Sequence, residues 1–234
     1  MSCLPPYAGG TTTWLSILSR FEHLLVFDVL LGEYIGHKDG DPTTVCGTDD
    51  SAGDRKCIAV ASGHVMTSGV HYVEFNVTGY TYIGIVRPMP GLDAGRYREE
   101  ECRFVGGSYF IDSEHKSDFL AQRSYDWVGN DIHACEYDPT QGELNWTDWG
   151  ERGYGGSISL KESPLDSIES YDGTISIVLN LDMGTLTIFS PYPVIKDGLP
   201  GPYCWYASVE VCSCDVVSIK RGPLSRRSVT AAAT

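Results

Sequence analysis

The residues that could do chemistry in this chain are few and poorly clustered. Eight cysteines stand at positions 3, 46, 57, 102, 135, 204, 212 and 214, and only Cys212-Ser-Cys214 brings two together. In a strand those two thiols would share a face, which suits either a metal or plain packing. Packing is the favoured reading, because no histidine or second cysteine pair lies nearby in sequence. The six histidines, at 23, 37, 64, 71, 115 and 133, show no paired metal spacing. No GxxxxGK[ST] phosphate cradle, HExxH zinc motif or GxSxG nucleophile elbow occurs. No metal, cofactor or catalytic residue is therefore expected. Carboxylates are the remaining chemistry: Glu99, Glu100 and Glu101 are adjacent, and Glu74 sits beside Asn76 on a strand pattern. Glycoside hydrolysis needs two acids flanking one sugar bond. Adjacent loop acids instead read as a solvated run, so hydrolysis is a minor alternative.

Binding chemistry is better supplied. The connection Met89 to Arg103 holds Arg96, Tyr97, Arg98 and Arg103, Ser124 to Asn130 holds Tyr125 and Trp127, and Thr147 to Gly156 holds Trp149, Arg152 and Tyr154. Aromatic and arginine side chains anchor protein contacts because they offer large area at low entropic cost. The rival reading folds the same rings back as small cores beneath their loops, and the sequence leaves both open.

The elements that must carry these loops are short strands. The chain has 234 residues, 42% hydrophobic and 11% aromatic, with 26 Gly and 12 Pro. That is one domain's worth, and a chain of this length buries roughly 70–75% of its unfolded surface without a metal or disulfide. Leu24 to Leu31 reads as a buried strand or as the end of an amphipathic helix starting at Trp14, and Gly36 to Lys56 reads as loop. From Cys57 the period becomes two. His71, Val73, Phe75 and Val77 alternate with Tyr72, Glu74 and Asn76, and Tyr82 to Val86 points Ile83 and Ile85 inward, giving two adjacent antiparallel strands. His133 to Tyr137 and Glu143 to Trp146 flank Asp138, Pro139 and Gly142 as a hairpin. Ile175, Ile177, Leu179 and Leu181 alternate, Asp182-Met-Gly184 turns the chain, and Leu186 and Ile188 return it. Tyr203 to Cys212 and Val216 to Ile219 complete an all-β, two-sheet sandwich.

Net charge is −14, every acid precedes Val216, and the end is basic through Lys220, Arg221, Arg226 and Arg227. An acidic surface repels phosphate backbones and anionic lipid, so neither nucleic acid nor membrane is expected as a partner. Trp14 to Ile35 is interrupted by Arg20, Glu22, His23, Asp28 and Glu33, which excludes a membrane span. Met1 to Thr13 lacks a basic region before an apolar run, so no secretory signal is expected, and the sequons at Asn76 and Asn145 read as chance. Buried, reduced thiols point to an intracellular, cytoplasmic protein.

Four segments carry a family likeness: SGVHYVEF (68–75), YIGIVRP (82–88), DGTISIVLNLDMGTLTIF (172–189) and GLPGPYCWYASV (198–209). In order and spacing they resemble the SPRY domain, over about Cys57 to Arg221. The resemblance implies a concanavalin-like antiparallel β-sandwich over 45–221, an N-terminal segment 1–44 and a basic disordered tail 222–234. It also implies a non-enzymatic module that binds a protein or peptide through loops at one edge, as a substrate-recognition or scaffold subunit of a ubiquitin-ligase-type assembly. On that basis Arg87, Tyr97, Arg98, Tyr125, Trp127, Trp149 and Tyr154 are the candidate contact residues. A lectin-like module stacking loop aromatics on sugar is the main alternative. The chain departs from the family at SPYPVIKD (190–197), where Pro191 and Pro193 cannot donate ladder hydrogen bonds. A strand there is expected to be lost or reduced to an edge.

Overall fold

A computed structural model describes residues 24–50, 55–98, 101–105, 114–124, 127, 132–149, 155–159, 170–190, 193–210, 212 and 214–222. In chain order the strands are β1 (Val29–Leu31), β2 (Ile35–His37), β3 (Thr44–Gly47), β4 (Lys56–Val60), β5 (Val70–Gly79), β6 (Thr81–Val86), β7 (Ala134–Asp138), β8 (Glu143–Thr147), β9 (Gly156–Ser159), β10 (Tyr171–Asn180), β11 (Thr185–Phe189), β12 (Val194–Lys196), β13 (Cys204–Glu210) and β14 (Val216–Lys220). Among the described residues one α-helix, α1 (Glu114–Ala121), lies between β6 and β7. The first sheet runs β1-β4-β13-β6-β7-β8-β9 and the second β12-β11-β10-β5-β14-β3-β2, every pairing antiparallel. This is the all-β sandwich that the period-two pattern predicts.

The core between the sheets is made by the inward residues of that pattern. Val73, Phe75 and Val77 of β5 and Ile175, Ile177 and Leu179 of β10 face Ile83 and Ile85 of β6 and Trp205 of β13. Phe75 and Trp205 meet edge to face at 6.3 Å, so Trp205 is a core residue, as expected. The β10–β11 and β7–β8 hairpins form in the predicted places. Gly184 takes φ 67°, a left-handed turn conformation open to glycine at little cost. Among the described residues β12 pairs only with β11 and is an edge strand, the reduced form that the two prolines predict.

Three readings need correction. β5 and β6 are consecutive but not paired, because Gly79 and Tyr80 carry the chain from the second sheet to the first. Gly79 permits this with φ 87° and no Cβ, where a side chain would overlap the Asp215 carboxylate. The stretch 36–56 is not simply loop: Gly36 and His37 end β2, and Thr44–Gly47 form β3 on the second sheet. An Asx turn sets up β3, since Asp41 Oδ1 accepts the Thr43 amide at 2.9 Å. Cys212 and Cys214 are not strand residues packed as thiols but are disulfide-bonded in the β13–β14 connection. Of the Leu24 to Leu31 alternatives, a strand forms only over Val29–Leu31, as β1, with 24–28 outside it, and the helix start at Trp14 lies outside the described residues.

Candidate functional site

The first sheet is buried on both faces, and its outer face carries an apolar patch built from Leu31, Ile58, Val60, Val86, Ala134, Cys204 and Tyr206. A face of that composition must be covered. The excursion between β6 and β7, with the segment after β8, supplies the cover through Tyr97, Cys102, Phe104, Val105, Phe119, Trp127 and Trp149. Phe104 and Phe119 pack edge to face at 5.2 Å, Phe119 lies 5.2 Å from Trp149, and Tyr97 stacks on Phe119 at 6.0 Å. His133 is wedged 5.0 Å from both Trp127 and Trp149. Polar bonds fix this roof. Trp149 Nε1 donates to the Phe104 carbonyl at 2.9 Å, and its own amide donates to Thr147 Oγ1 at 2.9 Å. Tyr97 Oη donates to Asp118 of α1 at 2.9 Å, and Arg96 bridges the same carboxylate at 2.9 Å.

These contacts decide where the sequence candidates stand. Trp127, Trp149 and Tyr97 are buried in the roof, so their rings hold the loops from beneath. Tyr125 and Tyr154 lie outside the described residues. Arg87 is also buried: its Nη1 donates to the Gly201 and Pro202 carbonyls, and its guanidinium lies 4.5 Å from the Tyr203 ring centre. Arg98 is exposed. Arg87, Tyr97 and Arg98 come together around one element, the 89–98 connection, which is ringed by clefts. A cleft of about 310 Å³ is lined by Val29, Val65, Arg87, Met89 and Leu92 among others. A second, of about 490 Å³, runs along β1 past Val29, Leu30 and Glu33 to Ala94 and Arg98. A third, of about 110 Å³, opens between Leu92, Tyr97 and Asp118. Sequence reasoning missed Val65, Met89 and Leu92 of this margin. Their only signal is apolar type within turn-rich segments.

A second unanticipated group lies on the same outer face. Tyr206 of β13 and Glu136 of β7 both pair with Gly84 of β6, and with no side chain between them Tyr206 Oη reaches Glu136 Oε2 at 3.0 Å. Lys56 Nζ sits 3.3 Å above the Tyr82 ring centre. Burial pushes the Glu136 carboxyl up to about 7, against the opposing pull of the Lys56 charge and the Tyr206 bond. Burial likewise lowers Lys56. These residues are far apart in sequence and meet only through strand pairing, so no local motif announces them.

The outer face of the second sheet is open and polar. Tyr72 Oη donates to Glu74 at 2.8 Å and reaches Ser176 at 3.0 Å, Asn76 bonds Ser218 and Thr174, and Lys220 pairs with Glu74 at 2.8 Å. Glu74 and Glu101 do not share a cleft. Glu74 lies on this face, whereas Glu101 neighbours Cys102, whose amide donates to Lys56 on the first sheet. Glu99 and Glu100 lie outside the described residues.

The architecture is a two-sheet antiparallel β-sandwich, and the four sequence segments fall on β5, β6, β10–β11 and the approach to and body of β13. No family model matches the chain, and no curated protein matches it. Among solved structures it is similar to the SPRY domain of human HERC1, with TM-score 0.48, 14% identity, and coverage of 82% of this chain and 94% of that one. It is also similar to the TRIM65 PSpry domain, with TM-score 0.47, 11% identity, and coverage of 95% of this chain and 100% of that one. A third similarity, to stonustoxin, has TM-score 0.45 and 11% identity and covers 84% of this chain but 26% of that one. No helix among the described residues is long and apolar enough to cross a membrane.

Proposed function

We propose that this chain is a protein-interaction module that holds an extended segment of a protein partner beside β1. The observation that carries the reading is the pair of adjoining clefts that share Val29, one above buried Arg87 and the other reaching exposed Arg98. β1 ends the first sheet and is paired only with β4 among the described residues, so its other edge offers main-chain groups to an incoming strand. Val65, 45% exposed, and half-buried Met89 and Leu92 supply apolar area beside that edge. The buried aromatics of the roof keep the 89–98 connection in place rather than touching the partner.

The test is affinity capture with variants. Arg98→Ala and Val65→Ser should each weaken capture of a specific partner several-fold while leaving the thermal midpoint unchanged. Undiminished capture by the double variant would remove this face. The finer reading, a substrate-recognition or scaffold subunit of a ubiquitin-ligase-type assembly in the cytoplasm, rests on the SPRY resemblance. Co-purification of ligase components with the captured partner tests it, and their absence would leave the binding module without that role.

A further inference from the structure

Away from the clefts, the two connections that carry the chain between the sheets meet at one corner. Gly79 and Tyr80 lead from β5 to β6, and residues 211–215 lead from β13 to β14. Asp215 joins them. It is 1% exposed, its Oδ1 accepts the Tyr80 amide at 2.7 Å, and its amide donates to the Cys212 carbonyl at 3.0 Å. Its main-chain carbonyl also accepts the Gly47 amide at 3.3 Å, tying in the end of β3. The second carboxylate oxygen, Oδ2, is buried with no hydrogen-bond partner. A buried carboxylate oxygen without a donor costs more than an ordinary hydrogen bond returns. Something other than backbone geometry is therefore needed to explain why an acid is kept here.

The sulfurs of Cys212 and Cys214 supply the other half of the argument. They and a carboxylate oxygen of Asp215 all lie within 4.8 Å of one another, and the set runs from exposed Cys214 through half-buried Cys212 to buried Asp215. Cys214 Sγ lies 3.8 Å from Asp215 Oδ1. The two cysteines are disulfide-bonded with their Cα atoms 5.3 Å apart. Two thiolates in tetrahedral positions on zinc stand roughly 3.8 Å apart, given Zn–S bonds of about 2.3 Å. Two thiolates exclude calcium and magnesium as the natural occupant, and the carboxylate favours zinc over copper(I), which prefers sulfur alone.

We propose that reduction of the Cys212–Cys214 bond opens a zinc site made by both thiolates and the Asp215 carboxylate. Two equivalents of a small cellular thiol supply the electrons: the protein disulfide gains two electrons and two protons, and the two thiols leave joined as their own disulfide. Zn²⁺ then displaces the two cysteine protons and forms two Zn–S bonds and one Zn–O bond, with the fourth position open to water. The site ties both inter-sheet connections through Asp215 and exchanges with the oxidised, metal-free form.

The experiment uses the full chain, reduced with a phosphine, freed of reductant and titrated with Co²⁺ as a spectroscopic probe. One equivalent should give a thiolate-to-metal charge-transfer band that Zn²⁺ bleaches and that the oxidised protein lacks. Cys212→Ser and Cys214→Ser should abolish the band, and Asp215→Asn should weaken binding at least ten-fold. Alkylation mapped on the wild-type chain guards against variants that fail to fold: Zn²⁺ should slow modification of Cys212 and Cys214 ten-fold or more and leave half-buried Cys46 unaffected. A band that persists in the double cysteine variant, no band in the reduced chain, or equal alkylation with and without Zn²⁺ would each overturn the proposal.

Discussion

The two outer faces of the sandwich solve the same problem in opposite ways. The second sheet turns Tyr72, Glu74, Asn76, Thr174, Ser176, Ser218 and Lys220 outward, where they hydrogen-bond to one another in the open. The first sheet turns Ile58, Val60, Val86, Ala134 and Tyr206 outward and needs a roof. The clefts described above lie where that roof meets the sheet edge. A covered sheet thus has loops with a structural reason to exist, and their rims are where clefts form. Among the described residues the bare sheet carries no such loops.

The largest effect expected from this contrast is on stability. Trp149 packs against Phe104, Phe119, Trp127 and His133, and it holds φ 50°, where a non-glycine residue is costly unless packing over-determines it. Trp149→Ala should cost about 3–5 kcal/mol. Asn76→Ala on the bare face should stay within about 0.5 kcal/mol. Urea unfolding measures both, and similar losses at the two sites would break the contrast.

The same contrast explains what the sequence showed and what it hid. Strands of the second sheet have one wet face, so β5 and β10 alternate cleanly and were legible residue by residue. Strands of the first sheet are buried on both faces, so along β7 and β13 burial is nearly unbroken and does not follow the polar-apolar order of the sequence. Nothing in such a run says that a roof exists, and so the roof rings Tyr97, Trp127 and Trp149 read equally well as contacts or as a small core. Pairing across sheets was illegible for a different reason. β5 and β6 are separated by a short turn and look like a hairpin, and only the close approach of Asp215 to Gly79, 136 residues apart in no local pattern, shows the crossing.

A second prediction concerns the buried acid under the roof. Glu136 is raised from its ordinary value to about 7 by burial. Between the unfolded and folded values the folded protein holds a proton that the unfolded chain has released. Folded Glu136 therefore contributes most below about pH 4.5, and that contribution is lost as the pH rises to about 7, on the order of 1–3 kcal/mol. Unfolding free energy measured across this window should fall with pH, and Glu136→Gln should flatten the slope. An unchanged slope in the variant would assign the pH dependence elsewhere.

The smallest expected effect lies on the opposite face and has the opposite sign. Glu74 is held below its ordinary value, first by the hydrogen bond from Lys220 and then by that from Tyr72. Its contribution is present above the ordinary carboxylate range and is lost as the pH falls through the folded value. Because Lys220 is more than half exposed and Glu74 is only partly buried, solvent and salt screen much of the attraction, and such pairs add little to stability. Lys220→Gln should accordingly leave the thermal midpoint within experimental scatter, yet move the Glu74 titration, followed by NMR, upward toward the ordinary value. Two carboxylates on two faces of one sandwich would then titrate in opposite directions for one reason, the presence or absence of a roof. A Glu74 titration that ignores Lys220, or that already lies above the ordinary range, would show that the bare face is not governed by its cross-strand partners.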